Sequence, residues 1–203
     1  MRLRVGVMWL APMLLLLASC GEKKVVVPEV YRVKFETSQG DFTVEVARAW
    51  SPRGADRFHE LVRLGYYNDA RFFRVLAGFI AQFGVHRKFD VHEVWRKLPI
   101  PDDPPKENNR RGTLAFAKSG PNTRATEVFI NLKDSANLDA EHFVPFARIV
   151  EGMEVADRLY SGYGEFRPEG KYIDAGRVEE ETNEYLVPRF PKMDYIKRAR
   201  FLP

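Results

Sequence analysis

The chain has 203 residues, a formal net charge of +4 and a single cysteine, Cys20. That length holds one domain with a core large enough to fold without disulfides, and one cysteine excludes both an intramolecular disulfide and a cysteine-based zinc site. Arg2 and Arg4 sit in a segment expected to be removed; without them the basic excess falls to two, so charge marks no nucleic-acid surface.

The first twenty residues read "MRLRVGVMWLAPMLLLLASC". Two arginines, an apolar run from Val5 to Leu17 and the small residues Ala18 and Ser19 make a secretory signal pattern, too short for a comfortable membrane span. Leu17-Ala18-Ser19-Cys20 resembles the bacterial lipobox. The resemblance implies cleavage before Cys20 and lipidation of its sulfur and new amino group; several acyl chains anchor stably where one does not. The expected division is a signal peptide over 1–19, a lipidated cysteine and tether over 20–30, and one folded domain over 31–203. Gly21 in place of Asp favours the outer membrane if the cell is Gram-negative. The location expected is the cell envelope, facing the periplasm or the exterior.

Tyr31–Thr37 and Phe42–Ala47 alternate apolar and polar residues around "SQGD", the composition of a β-hairpin. Next, "SPRGADRFHELVRLG" predicts a helix over Pro52–Leu64, with Ser51 as cap, Pro52 at the first position and Gly65 as the stop. Short apolar runs follow at Phe72–Leu76, Phe79–Phe83, Thr113–Ala117, Val128–Leu132 and Phe143–Val150; Pro145 marks a bulge or edge in the last. Val85–Arg111 carries "PIPDDPP" and is expected to be a surface excursion. A second helix is predicted over Glu154–Tyr160, a loop over Gly162–Gly176, a helix-compatible run at "VEEETNEYL" and a last strand over Tyr195–Leu202. Many short strands with few helices predict a barrel or sandwich.

None of His59, His86, His92 and His142 pairs with another at a metal-ligand spacing, and the first three read as surface or satisfied core residues. No metal or other cofactor is expected. The least ordinary stretch is Phe72–Gly84, "FFRVLAGFIAQFG", which places Arg74 and Gln82 among core residues. The turn near Ala77-Gly78 breaks simple parity, so periodicity does not put the two on one face. An arginine snorkelling to the rim and a glutamine bonded to backbone would satisfy the same pattern.

That stretch resembles the cyclophilin signature, roughly F-H-R-x-x-x-G-F-x-x-Q-G-G, with Arg74, Gly78, Phe79 and Gln82 on matching positions. "GTLAFAKSGPNTRATEVFINL" (112–132) resembles the family's second block and "NLDAEHFVPFARIVEGMEVADRL" (137–159) its third. The ending resembles a bacterial branch. The resemblance implies a mainly β fold: a closed eight-stranded antiparallel barrel capped by two helices, here with a Pro-rich insertion and a C-terminal helix and strand. It also implies peptidyl-prolyl cis–trans isomerase activity without a cofactor, on proline-containing unfolded or flexible polypeptides, by a monomer.

By the same resemblance Arg74, Phe79, Gln82 and Phe129 are the catalytic set. Ile80, Ala117, Lys118, Glu127, Leu138 and either His142 or Phe143 bind substrate; an extra residue in "FVPFAR" leaves that last register open. There are departures. Phe73 replaces a common His, Ala77 a common Pro, and Phe83 the first Gly of Q-G-G. Glu127 replaces Gln, which could weaken a substrate hydrogen bond. Lys118 stands where Asn is common, and Asn137 where many members carry the Trp that matters for cyclosporin binding. These altered positions also fit a rival reading, a non-catalytic cyclophilin-like binding or chaperone module of the envelope. A nucleotide- or metal-dependent enzyme lacks any supporting motif.

Overall fold

The computed structural model describes residues 26–166 and 173–203. The signal pattern, Cys20 and most of the expected tether lie outside the described residues, as does part of the Gly162–Gly176 loop.

β1 (Val30–Thr37) and β2 (Gly40–Ala47) form the predicted hairpin, with Phe35 opposite Phe42 and Thr37 opposite Gly40. Gly40 takes φ 121° at the turn, a conformation that costs glycine little. Alternate residues Tyr31, Val33, Phe35 and Thr37 are buried, the period of a half-buried strand. α1 (Pro52–Arg63) buries Ala55, Phe58, Leu61 and Val62 along one stripe. It ends in a Schellman motif: Gly65 N–H donates to Val62 O at 2.9 Å and Tyr66 N–H to Leu61 O at 2.9 Å, with Gly65 at φ 67°.

The start of α1 differs from expectation. Ser51 makes no side-chain cap. Its hydroxyl donates to Asp103 Oδ2 at 2.6 Å, and the Asp103 carboxylate accepts from the Gly54 and Arg53 N–H groups at 3.0 and 3.2 Å. The cap is therefore supplied from the Pro-rich segment, where a full negative charge meets the helix N-terminus.

β3 (Arg74–Leu76) and β4 (Ile80–Phe83) turn at Gly78, φ 66°, and pair with Arg74 directly opposite Gln82. Directly opposed residues share a face, so register answers what parity left open. β5 (Thr113–Phe116), β6 (Val128–Asn131), β7 (Pro145–Glu151) and β8 (Ile196–Phe201) complete one antiparallel sheet, ordered β3-β4-β6-β5-β7-β2-β1-β8.

The sheet curls but its ladder is open, which corrects the expected closed barrel. β8 pairs with β1, and among the described residues the far edge meets it through the isolated bridge Arg71–Tyr195, flanked by Phe72 N–H to Asp194 O and Ile196 N–H to Ala70 O, both 2.9 Å, and Asp69 N–H to Ile196 O at 2.7 Å. β3 is only three residues long. Its ladder with β4 covers only Arg74–Leu76, so no continuous ladder crosses the seam; beside it Phe72 enters the main core and Phe73 a second cluster.

The main core fills the curl with Phe35, Phe42, Phe58, Tyr67, Phe72, Phe83, Phe116 and Phe146. Phe83 stands at its centre, with ring centroids 5.7, 5.3 and 5.4 Å from Phe35, Tyr67 and Phe72. The aromatic side chain that departs from Q-G-G is thus core packing.

Helices are more numerous than the two caps and the C-terminal helix expected. Beyond α1 the described residues contain α2 (Phe89–Arg96), α3 (Ala136–Ala140), α4 (Met153–Asp157) and α5 (Ala175–Arg189). The second predicted helix is the short α4, begun by Gly152 at φ 81°. α5 starts on the Asp174 side chain, which accepts from Arg177 N–H at 3.0 Å, and breaks at Thr182, φ 50°. Its Val178, Tyr185 and Leu186 join Phe73, Val85 and Phe190 in the second cluster.

The Pro-rich segment also proves to be more than a surface excursion. It contributes α2, with His92 fully buried, and the buried Asp103 and Asn109. Asn109 Nδ2 donates to Asp139 Oδ1 and to Phe143 O, both at 2.7 Å, which ties α3 and the following turn to the sheet.

Candidate active site

Ile80 of β4, Ala115 of β5, Phe129 of β6 and Leu138 of α3 form a third buried cluster, with Leu76, Phe79, Ala117 and Phe143 packed against it. Of these, Phe79, Ile80, Ala117, Phe129, Leu138 and Phe143 wall a surface cavity of about 480 Å³, which Arg74, Gln82, Lys118, Asn137, Glu165 and Phe166 also line. It is an apolar cleft with a few convergent polar groups, the ordinary form of a small-ligand site.

Phe129 and Phe143 meet edge to face at 5.5 Å. Of the two candidates left open by register, Phe143 faces the cavity, whereas His142 is exposed, at φ 57°. Lys118 Nζ lies 5.6 Å from the Phe143 ring centroid and 3.7 Å from Asp102 Oδ2. Ala117 N–H donates to Glu127 O at 2.9 Å, so the pairing group it can offer a peptide is its carbonyl.

Arg74 holds the polar end. Its Nη1 donates to Gln82 Oε1 at 3.1 Å, and Nε and Nη2 donate to Glu165 Oε1 and Oε2 at 2.5 and 2.6 Å. The fork of Arg74 holds the Glu165 carboxyl below its usual range. Phe166 lies 5.6 Å from the guanidinium and stacks on Phe73 at 5.9 Å. A guanidinium carries five N–H donors; among the described residues three are engaged, which leaves one N–H on each terminal nitrogen for a ligand. Nothing in the local sequence around Glu165 or Phe166 marks them for the site, because they arrive from a loop 91 residues beyond Arg74.

Gln82 Nε2 donates to Glu127 Oε2 at 2.6 Å. Glu127 thus faces inward to Gln82, behind the cleft. Burial pushes its carboxyl up to about 8, helped by the charge of Glu179 and opposed by the Gln82 bond and the Arg74 charge. Gly84, φ 123°, makes this seat possible: a Cβ there would lie 2.6 Å from Glu127 Cα. Gly84→Ala is expected to destabilise the fold by about 1–3 kcal/mol. It should also displace Glu127 from Gln82, and the Tm should fall. An unchanged Tm would refute the close approach. Among the described residues no cluster of His, Cys, Asp and Glu could hold a metal ion.

The curled antiparallel sheet thus carries an apolar cleft beside a fixed arginine. The comparisons agree. The profile described as "Cyclophilin type peptidyl-prolyl cis-trans isomerase/CLD" matches residues 32–175. Peptidyl-prolyl cis–trans isomerase-like 1 of Aspergillus niger is 34% identical over 158 residues, covering 75% of this chain and 97% of the relative. A peptidyl-prolyl cis–trans isomerase of Arabidopsis thaliana is 36% identical over 141 residues, covering 64% and 80%. Among solved structures, a cyclophilin-type isomerase of Cryptosporidium parvum superposes with a TM-score of 0.59 at 21% identity, covering 86% of this chain and 98% of that one. A structure of that protein was determined in the presence of the dipeptide Ala-Pro. The chain belongs to the cyclophilin family of peptidyl-prolyl cis–trans isomerases, and its enzyme class is the one that its relatives' names state.

Asn137 lines the cavity where the family commonly places a tryptophan. Cyclosporin is accordingly expected to inhibit weakly, and inhibition at submicromolar concentration would count against this reading of the cleft.

Proposed function

We propose that the chain accelerates rotation about X-Pro bonds in envelope or secreted polypeptides, with Arg74 stabilising the twisted amide. Amide resonance raises the rotation barrier to about 18–20 kcal/mol, and uncatalysed prolyl isomerisation takes tens of seconds or longer. No bond breaks, so neither a nucleophile nor a general base is required. The enzyme has to grip the proline ring, stabilise the twisted state and leave the carbonyl side free to turn.

The cluster of Ile80, Phe129, Leu138 and Phe143 supplies an apolar seat for the ring. As the amide twists, its nitrogen becomes pyramidal and gains a lone pair. A free N–H of Arg74 can bond that lone pair, an interaction stronger in the transition state than in either planar ground state, which is the condition for catalysis. Gln82 takes one Nη1 hydrogen and holds the guanidinium at the rim of the cleft. The observation that carries this reading is the cross-strand pair Arg74–Gln82 beside the apolar wall. A protease-free isomerisation assay on a peptide with one X-Pro bond tests it; a well-folded protein that leaves the slow phase unchanged would favour the binding-module alternative.

The envelope location rests on the Leu17–Cys20 pattern. Full-length protein expressed in a bacterium should incorporate labelled fatty acid and sediment with membranes, and Cys20→Ala should abolish both. A wild-type protein that stays unlabelled and soluble would remove the anchor from the proposal.

A further inference from the structure

Behind the cleft a run of polar groups, half-buried at Glu127 and Glu179 and buried at His92 and Tyr66, leaves the sheet and reaches two added elements. Glu127 is half-buried and lines one cavity with Glu179 of α5, near enough for each carboxyl to shift the other. Glu179 Oε2 in turn lies 2.9 Å from His92 Nε2 on α2, and His92 Nδ1 lies 2.9 Å from Tyr66 Oη. A second cavity of about 430 Å³ adjoins the cleft through Gln82 and Phe166, and Glu127, Glu179 and Arg96 line it.

Donor directions settle how this run works. An ionised Glu179 oxygen only accepts, so His92 Nε2 carries the hydrogen of that contact, and Nδ1 meets the Tyr66 hydroxyl. Two facing carboxyls in a buried site hold one proton between them. Burial and the Glu179 charge place that proton on Glu127, while Glu179 stays ionised, pulled below its usual range by the His92 and Glu127 bonds against its own burial. Glu127 then donates to Glu179 through one oxygen and accepts from Gln82 Nε2 through the other. A carboxyl oxygen at that place accepts only the amide NH₂, so the Gln82 carbonyl must turn to Arg74. An amide at position 127, the residue the family commonly has, can donate as well as accept, so Arg74 alone would then hold the Gln82 carbonyl.

We propose that Glu127, Glu179 and His92 are positioning residues of the isomerase, a hydrogen-bonded relay through which α2 and α5 set the orientation of Gln82 and so the guanidinium of Arg74. The proposal rests on the isomerase reading above. The charged and titratable groups facing the carboxyl pair are Arg74 on β3, His92 and Arg96 on α2, and Tyr66 after α1. Loss of the shared proton sets two negative charges face to face. The pair parts, and Gln82 loses its fixed orientation.

The test follows kcat/KM and the NMR signal of the Gln82 side-chain amide from about pH 7 to about pH 9. In the wild type both should change together around pH 8, where Glu127 ionises: kcat/KM should fall several-fold as pH rises, while kcat/KM remains full below it. Glu127→Gln and Glu179→Gln should each remove the alkaline limb and the movement of the Gln82 signal. Glu181→Gln, on the same helix but exposed and paired with Arg177, should leave both as in the wild type. A purely structural role would lower Tm in the first two variants without moving either profile. The proposal is overturned by a wild-type profile flat across this range, by a Gln82 signal that does not move, or by a limb that persists in Glu127→Gln. A wild type without isomerase activity would sink the functional reading instead; the Gln82 signal would still report whether the relay exists.

Discussion

Arg74→Ala should lower kcat/KM by about 100-fold or more, the usual loss when a donor aimed at transition-state charge is removed. The argument is geometric. Arg74 lies opposite Gln82, its terminal nitrogens reach the rim of the apolar cleft, and among the described residues one N–H on each remains free. Arg74→Lys should recover little of the loss, because an ammonium cannot keep the fork to Glu165 and Gln82 while donating to an amide nitrogen. The substitution removes an exposed ion pair and little core packing, so the variant should fold, checked by circular dichroism. An alanine variant within about threefold of the wild type in kcat/KM would dismiss Arg74 as the stabilising group.

Arg124→Ala should be the costliest change to stability outside the aromatic core. Arg124 is 1% exposed. Its Nη2 donates to Pro101 O and to Asp103 Oδ2, the latter at 3.1 Å, and its Nη1 donates to Ser51 Oγ at 3.3 Å. Nε lies 3.1 Å from Asp102 Oδ1 without the alignment of a hydrogen bond. Truncation strands the buried Asp103 carboxylate, which costs about 3–5 kcal/mol. For a domain of this size that corresponds to a Tm lowered by about 10 °C. The same ion pair caps α1 and clips down the Pro-rich segment, so one residue holds two elements. A Tm within about 2 °C of the wild type would show that the pair carries no such burden.

Asp103 also gives the fold an acid limb. Burial raises its carboxyl, but the bonds from Ser51, Gly54, Arg53 and Arg124 outweigh burial and hold it below the ordinary value. A depressed carboxylate contributes stability that is fully present above its unfolded value of about 4, and is lost as pH falls through the lower folded value. Denaturant midpoints should therefore fall below about pH 4 in the wild type, and fall less steeply in Asp103→Asn. Parallel curves for the two proteins would assign the acid limb to other groups.

How much of this was legible without a structure varies by element, for a consistent reason. The β1–β2 hairpin and α1 follow from alternation, from a 3.6-residue stripe and from glycine at turn and stop, all of which act over a few residues. The cap of α1 does not. Ser51 is the right residue type in the right place, yet the acceptor is Asp103, 52 positions later, and nothing local distinguishes the two arrangements. The Pro-rich segment was misjudged on the same ground. Its prolines forbid regular structure around "PIPDDPP", but α2 lies just before them, and its buried His92 finds its partner 87 residues away.

The site divides in the same manner. Residue types in three blocks named Arg74, Phe79, Gln82 and Phe129, and these do line one cleft. The choice between His142 and Phe143 needed the turn geometry at 142, and Glu165 and Phe166 carried no signal at all.

By itself, then, the sequence determined the strands, the helix α1, the family and the motif residues Arg74, Phe79, Gln82 and Phe129 of the cleft, because each is written in periodicity or in a short motif. Only the tertiary structure decided the rest: the open seam at Arg71–Tyr195, the register that sets Arg74 on Gln82, the cap from Asp103 and the polar run from Glu127 to His92. Each of these joins groups far apart in the chain. Their pairing depends on which surfaces the packed core brings within about 3 Å, and no local pattern encodes that distance.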